Sequence, residues 1–255
     1  MTKLPKPISL QLYTLREAAK SDHLAVLKRI AQIGFKGVEP AGLYGMTPKE
    51  FRAVVEDLGM TVSSAHGICP RSMSAEAAID TANDFGLDIL CTGFGREEFS
   101  TVEKIKETAE IVTKGIELLE PAGINLMLHN HDHEYTMVNG RIAYDWFAEL
   151  CPKALFEIDT YWASNFGAND PAKEVAKLKA RTPFLHIKDG PLTKGAPMTA
   201  AGAGKMDIPA VINAADEKVL RWLVVELDEC ATDMFTAVEE SYRYLVENNL
   251  ASGNR

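Results

Sequence analysis

Short apolar segments alternate with amphipathic segments along the whole chain. Eight of the apolar segments predict β-strands, at residues 8–13, 36–40, 61–66, 87–92, 124–128, 155–159, 184–188 and 222–227. Helical segments are predicted at residues 23–32, 47–58, 74–85, 100–120, 144–150, 171–180, 208–215 and 235–248. In the longest of these, Ile105, Val112 and Ile116 recur at helical spacing, as expected of a helix that buries one face.

Local signals support these boundaries. Gly34, Gly59, Gly86 and Gly123 each stand between a predicted helix and the next strand, where a left-handed residue ends a helix well. Helix starts are indicated by Ser21 or Asp22, and by capping boxes at Thr47–Glu50 and Ser100–Glu103. Residues 138–141, which read VNGR, predict a hairpin turn.

Eight such alternations without a linker or a low-complexity stretch are typical of one α/β fold. We therefore predict that residues 1–255 form a single (β/α)8 TIM barrel. In that fold the carboxyl ends of the strands form the active face.

The net charge and the cysteines of the chain indicate which partners and which cellular compartment to expect. The net charge is −9, with acidic residues spread along the chain, so we expect no nucleic-acid partner. The four cysteines lie far apart with no CxxC pair, as is typical of reduced thiols. The first ten residues, MTKLPKPISL, are not expected to be a signal peptide, because their apolar stretch is short and broken by proline, and no apolar run of about 18 residues follows. We expect a cytoplasmic protein without a membrane partner.

The most unusual stretch is LMLHNHDHEY, residues 126–135. It holds three of the six histidines, directly after an apolar run. If the strand continues, His129, His131 and His133 share one face, because side chains alternate along a strand. Imidazole and carboxylate together favour Mn, Zn or Co over Ca or Mg. The alternative is a polar loop whose histidines bond to the backbone.

Ionisable side chains also end most of the other strands. An acid or imidazole at the end of an apolar strand is costly to bury without a partner, and a shared divalent ion would supply one. Alternatives remain for Asp159 as a helix cap, for His186 as a core histidine, and for Glu226 as a partner of Lys188. The residues at the eight strand ends are Tyr13, Glu39, His66, Thr92, His129, Asp159, His186 and Glu226.

Taken together, these motifs resemble the xylose isomerase-like TIM-barrel superfamily of sugar phosphate isomerases and epimerases, which also includes the AP endonuclease family 2 type. The resemblance covers nearly the whole chain. It rests on QLYTLRE, GVEPAG, LHNHDHEY, EIDTYWA, HIKDG, GAGKMDIPAVI and VVELDE, which begin at residues 11, 37, 128, 157, 186, 202 and 224.

The resemblance implies a metal site made by four strand ends. Asp159, His186 and Glu226 stand where the family has its ligands on strands six, seven and eight. The ligand on strand five is typically a carboxylate, but His129 takes its place here. Two assignments stay open, Glu134 folding back to the metal or His129 itself, and we favour Glu134.

We do not expect nuclease activity, because the chain departs from the family at two positions. Trp162 stands where several relatives have a histidine, and Thr92 ends strand four without an imidazole. We expect Trp162 to form an apolar wall against a sugar ring. These departures, with the acidic net charge, argue against the three-metal repair enzymes of the superfamily.

The resemblance implies a metal-dependent isomerase or epimerase that acts on a sugar or keto-sugar through an enediolate. Glu134 and Glu226 would exchange the proton, with Mn the favoured ion and Zn, Co or Mg as alternatives. A dehydratase or a lyase acting on a 3-keto-sugar or 3-keto-glycoside would use the same proton abstraction. A sugar-binding barrel without catalysis is the third alternative.

We expect the substrate to be a small carbohydrate. Its proposed contacts are Tyr13, Glu39, His66, His129, His131, Trp162 and Lys188. The loop Gly202–Lys205 lacks the spacing of a phosphate-binding loop and is expected to be a mobile lid, so a free or oxidised sugar is favoured over a phosphate ester. A homo-oligomer is compatible with the sequence.

Overall fold

In the computed structural model, which describes residues 5–255, eight parallel strands form one curved sheet. The eight strands are β1 (Lys6–Gln11), β2 (Gly37–Glu39), β3 (Thr61–Val62), β4 (Ile89–Thr92), β5 (Asn125–His129), β8 (Leu155–Asp159), β9 (Phe184–Ile187) and β10 (Trp222–Val225). Their spatial order is β3, β2, β1, β10, β9, β8, β5, β4. A further bridge between His66 and Cys91 joins the segment after β3 to β4 and completes the ring.

Three short strands lie outside the ring. β6 (Met137–Val138) and β7 (Arg141–Ile142) form a separate antiparallel hairpin, and β11 (Ala251–Ser252) pairs with the start of β1. Asn139 and Gly140 both have positive φ, which the predicted two-residue turn requires.

Helices cover the outer face of the sheet, as a parallel sheet requires. They are α1 (Arg16–Ile33), α2 (Pro48–Asp57), α3 (Ala75–Phe85), α4 (Val102–Leu119), α5 (Ala143–Leu150), α6 (Thr160–Ala163), α7 (Pro171–Leu178), α8 (Ile208–Ala214) and α9 (Met234–Glu247). Strand and helix thus alternate as predicted, and the (β/α)8 barrel is confirmed. None of the described helices is both long and apolar enough to cross a membrane.

The strands divide the core into two layers. Their outward side chains pack with the helices in one large cluster. A second, smaller cluster contains Ile89, Cys91, Met127, Phe184 and Val224, whose side chains alternate with those of the first. This inner apolar layer lies on the same strand faces that carry the ionisable residues nearer the strand ends.

Most local signals hold. The four glycines at the helix ends have φ between 73° and 118°, and both bonds of the Thr47–Glu50 capping box form. Asp22 breaks α1 and accepts from the backbone N–H of Ala25, as its expected capping role requires. The prediction of a capping box at Ser100–Glu103 is wrong, because Thr101 caps α4 by accepting a hydrogen bond from the backbone N–H of Lys104.

Candidate metal centre and substrate cavity

A cavity of about 400 Å³ opens at the carboxyl ends of the strands. Ionisable and aromatic side chains line it, together with backbone of the loops after β2, β3 and β4. Its lining residues are Gln11, Tyr13, Pro40, Ala41, Gly42, His66, Gly67, Gly93, His129, His131, Lys188, Glu226 and Asp228.

Four candidate ligands meet beside the cavity, and two of them, His129 and Glu226, line it. One nitrogen or oxygen atom from each of His129, Asp159, His186 and Glu226 lies within 4.8 Å of the other three. All four side chains are buried. Asp159, His186 and Glu226 are the three ligands that the family resemblance implies, and in the structure their side chains lie together with that of His129.

Glu134 lies in a different group. The strand stops at His129, and residues 133–135 form a turn of 3-10 helix, so the expected alternation of the three histidines does not continue. Glu134 accepts from the N–H of His131 at 2.8 Å and is grouped with His131 and His133. Burial raises the pKa of Glu134 to about 8. It is buried and is not among the residues that line the cavity.

The two carboxylate oxygens of Asp159 have different partners, a helix N-terminus and Lys188. Its Oδ1 accepts from the N–H of Trp162 at 2.9 Å and caps α6, so the capping role is real. Its Oδ2 has no hydrogen bond and lies 2.9 Å from Lys188 Nζ. The side chain of Asn130 bonds to both backbone groups of Asp159 and joins the ends of β5 and β8.

Lys188 neutralises the acidic side of the centre. Its buried Nζ lies 2.9 Å from Asp159, 2.9 Å from Glu226 and 2.7 Å from Asp228. Burial opposes the charge of Lys188, but the three carboxylates outweigh it and raise the pKa of the ammonium. The expected pairing of Glu226 with Lys188 therefore exists beside the grouping of Glu226 with the other candidate ligands.

Each ring nitrogen of His186 contacts the carboxylate of another residue. Nδ1 lies 2.8 Å from Glu226 Oε2, and Nε2 lies 2.9 Å from Glu39 Oε2. Gln11 and Ser64 donate to the carboxylate of Glu39, which is fully buried. Although burial disfavours the imidazolium, the carboxylates raise the pKa of His186 well above its usual value.

Glu157 is the main residue that the sequence analysis missed. It is fully buried, and its Oε2 lies 2.6 Å from His66 Nε2, 3.3 Å from His129 Nδ1 and 3.2 Å from His186 Nε2. Burial alone would raise the pKa of Glu157, but His186 and His66 lower it well below the usual range. Strand alternation could have identified it, because Glu157 stands two residues before Asp159 on β8.

The proposed substrate contacts divide into two sets. Tyr13, His66, His129, His131 and Lys188 line the cavity, whereas Glu39 and Trp162 do not. Tyr13 is 42% exposed, and the guanidinium of Arg16 lies over one face of its ring, 3.9 Å from the ring centre. Trp162 instead lies with its ring centre 5.3 Å from Lys188 Nζ.

The donor set suits a divalent cation. Two imidazoles and two carboxylates are ligands that Zn, Co and Mn accept. Asp159 Oδ2 is buried without a hydrogen bond, although it lies 2.9 Å from Lys188 Nζ, so this oxygen can accept a further partner. Burial lowers the pKa of His129 to about 3, so this ring is neutral, which metal binding requires.

The chain belongs to the xylose isomerase-like TIM-barrel family, whose sequence model matches residues 27–247. A sugar phosphate isomerase/epimerase from Parabacteroides distasonis ATCC 8503 has 25% identity and a TM-score of 0.80, over 98% of this chain and 96% of that chain. No curated protein matches the chain in sequence.

Two further solved structures share the fold at 13% identity. One is a probable 3-DHS dehydratase involved in petrobactin synthesis, from Bacillus anthracis, with a TM-score of 0.73 over 94% of this chain and 98% of that chain. The other is the IOLI protein with a bound zinc atom, with a TM-score of 0.71 over 96% of this chain and 100% of that chain.

Proposed function

We propose that the protein is a divalent-metal-dependent isomerase or epimerase of a sugar or keto-sugar. The observation that carries this proposal is the convergence of His129, Asp159, His186 and Glu226 beside a 400 Å³ cavity. The similarity to a sugar phosphate isomerase/epimerase supports the same reaction class.

His129, Asp159, His186 and Glu226 would hold the ion, with His129 in place of Glu134 as the strand-five ligand. Mn, Zn and Co are the favoured ions for this set, and the zinc in the IOLI structure supports a divalent metal. When bound, such an ion supplies Lewis-acid chemistry, which makes a C–H bond next to a carbonyl more acidic.

Glu226 and His131 are the groups proposed to move the proton. Both line the cavity, and Glu226 lies at its charged side beside Lys188. Burial, reinforced by Lys188, lowers the pKa of His131, so its imidazole is neutral and can accept or return a proton. Glu134, the other member of the carboxylate pair expected from the sequence, is assigned instead to holding the backbone of His131.

Lys188, His66 and Tyr13 are proposed to bind the sugar. The Lys188 ammonium can donate to a hydroxyl or to a developing oxyanion, and Tyr13 offers an aromatic face to a ring. Lys188 is the only lysine or arginine among the lining residues, and three carboxylates already surround it. This charge balance favours a free or oxidised sugar over a phosphate ester.

A dehydratase or lyase acting on a 3-keto-sugar or 3-keto-glycoside is the second candidate. One observation favours it: of the two carboxylates expected to exchange the proton, only Glu226 lines the cavity. An elimination can use one group that takes the proton from carbon and then delivers it to the leaving group, a role open to Glu226 or to the neutral His131.

The test combines metal content with proton exchange. We expect about one equivalent of metal in the purified or Mn-reloaded protein, and substrate-dependent uptake of deuterium from a panel of ketoses and 3-keto-sugars in deuterated water. Deuterium in an unchanged carbon skeleton supports the isomerase, whereas loss of water or an aglycone supports the lyase.

Two variants sharpen the test. Glu226→Gln should lose both the metal and the exchange, whereas Asp228→Asn removes a neighbouring carboxylate that is not a proposed ligand and should keep the metal. Absence of metal and exchange in the unaltered protein, after reloading and across the panel, would remove the proposal and favour a sugar-binding barrel.

A further inference from the structure

The proposed reaction gives no role to Glu157, a fully buried carboxylate near the cavity. Glu157 is 0% exposed and lies inside the barrel, on the same face of β8 as Asp159. Burying a carboxylate is costly unless it is paired. Its partners are the Cys91 thiol and three imidazole nitrogens, and two of the three rings belong to the proposed metal ligands His129 and His186.

The partners of the two ring nitrogens of His186 indicate which nitrogen would bind a metal. Nε2 faces two carboxylates, Glu39 at 2.9 Å and Glu157 at 3.2 Å, whereas Nδ1 faces the proposed co-ligand Glu226. A histidine that binds metal uses one deprotonated nitrogen and donates its other N–H to a carboxylate or carbonyl. This arrangement puts the proton of His186 on Nε2 and leaves Nδ1 for the ion.

The neighbours of His129 likewise indicate which of its ring nitrogens carries the proton. Its Nδ1 lies 3.3 Å from Glu157 Oε2, a charge contact outside hydrogen-bond geometry, and the negative charge there favours the tautomer with the proton on Nδ1. Nε2 then remains as the ligating atom. The negative charge that the family pattern places on strand five as a ligand is present here on Glu157 of β8, next to His129.

We propose that Glu157 is a positioning residue, which fixes the ring orientation and tautomer of His129, and with Glu39 those of His186, so that an imidazole can serve as the strand-five ligand. This inference rests on the proposed metal centre. It assigns a function to a residue outside the cavity and outside the proposed ligand set, although one oxygen of Glu157 also lies within 4.8 Å of imidazole nitrogens of His66, His129 and His186. The competing account makes Glu157 only the counter-charge of His66, which lies at 2.6 Å.

Metal affinity distinguishes the two accounts. Apo-protein would be titrated with Co²⁺, followed by its visible absorption, in the unaltered protein and in Glu157→Gln. A positioning role predicts affinity weaker by about 10–100-fold and an altered Co²⁺ spectrum. Cys91→Ala is the matched control, because its buried Sγ lies 3.3 Å from the same Oε2 but contributes no charge. Its affinity and spectrum should be unchanged.

A second measurement needs no variant. Nitrogen-15 NMR of histidine-labelled, zinc-loaded protein reports which nitrogen of each ring carries the proton. We expect Nδ1–H for His129 and Nε2–H for His186. The opposite tautomer for His129, or unchanged Co²⁺ affinity in a folded Glu157→Gln protein, would overturn the inference while leaving the metal centre intact. Failure of the unaltered protein to bind Co²⁺ would overturn the metal centre and this inference together.

Discussion

The glycine-rich loop after β9 offers a sharp test of the structure. Asp189 is 1% exposed, and its carboxylate accepts four backbone N–H groups: Gly190 and Met206 on Oδ1 at 2.8 and 3.0 Å, and Gly202 and Gly204 on Oδ2 at 2.9 and 3.0 Å. The loop expected to be a mobile lid is thus bonded to a single buried side chain. We expect Asp189→Asn to release it.

The magnitude follows from the number of donors. An asparagine keeps one acceptor oxygen, which can still serve Gly190 and Met206, but places an amide NH₂ opposite the N–H groups of Gly202 and Gly204. A hydrogen bond to a charged group contributes about 1.5–3 kcal/mol, so losing two costs about 3–6 kcal/mol. That is a large part of the total stability of about 5–15 kcal/mol that is typical of a domain.

Urea unfolding and amide hydrogen exchange would measure the effect. The free energy of unfolding should fall by the stated amount, and the amides of Gly202 and Gly204 should lose protection. Asp207→Asn is the control: Asp207 caps α8 through the N–H of Ala210, a role that asparagine fills equally well, so stability should be unchanged. A loss below about 1 kcal/mol in Asp189→Asn, with protected glycine amides, would refute the reasoning.

Three further predictions concern other parts of the chain. Because burial raises the pKa of Glu134 from 4.5 to about 8, its stabilising effect is complete below pH 4.5 and is lost as the pH rises through 8. Glu134→Gln should therefore gain stability over the unaltered protein across that window in urea unfolding, and a difference independent of pH would contradict this. Thr47→Ala removes the cap of α2 and should cost about 1 kcal/mol in thermal unfolding; an unchanged midpoint would argue against the capping box. Gly34→Ala should cost more than Gly123→Ala, since both have positive φ but only at Gly34 would a Cβ collide with Tyr242. Equal losses would show that the tyrosine moves aside.

The candidate site was only partly predictable. The grouping of Asp159, His186 and Glu226 could be predicted because each ends an apolar strand, and strand ends meet in a barrel whatever their separation along the chain. His129 and Glu134 could not be distinguished, since that depends on where β5 stops and how the next residues turn. The structure ends the strand at His129 and directs Glu134 to the backbone of His131.

The buried carboxylates Glu39 and Glu157 were harder still. Glu39 was expected to bind substrate, but it is fully buried and bonds to His186, which lies 147 residues away. No local pattern reports such a contact. Glu157 was overlooked within a motif whose more conspicuous member was Asp159.

By itself, the sequence determined the order of strands and helices, the glycine and Thr47 boundaries and the Asn139–Gly140 turn. These features depend on interactions between residues a few positions apart, so they can be read from a short window. Only the tertiary structure decided which ionisable groups share the cavity and which are buried behind it. Burial and charge pairing there join side chains from strands far apart in the chain, and their distances are set by the closure of the whole barrel.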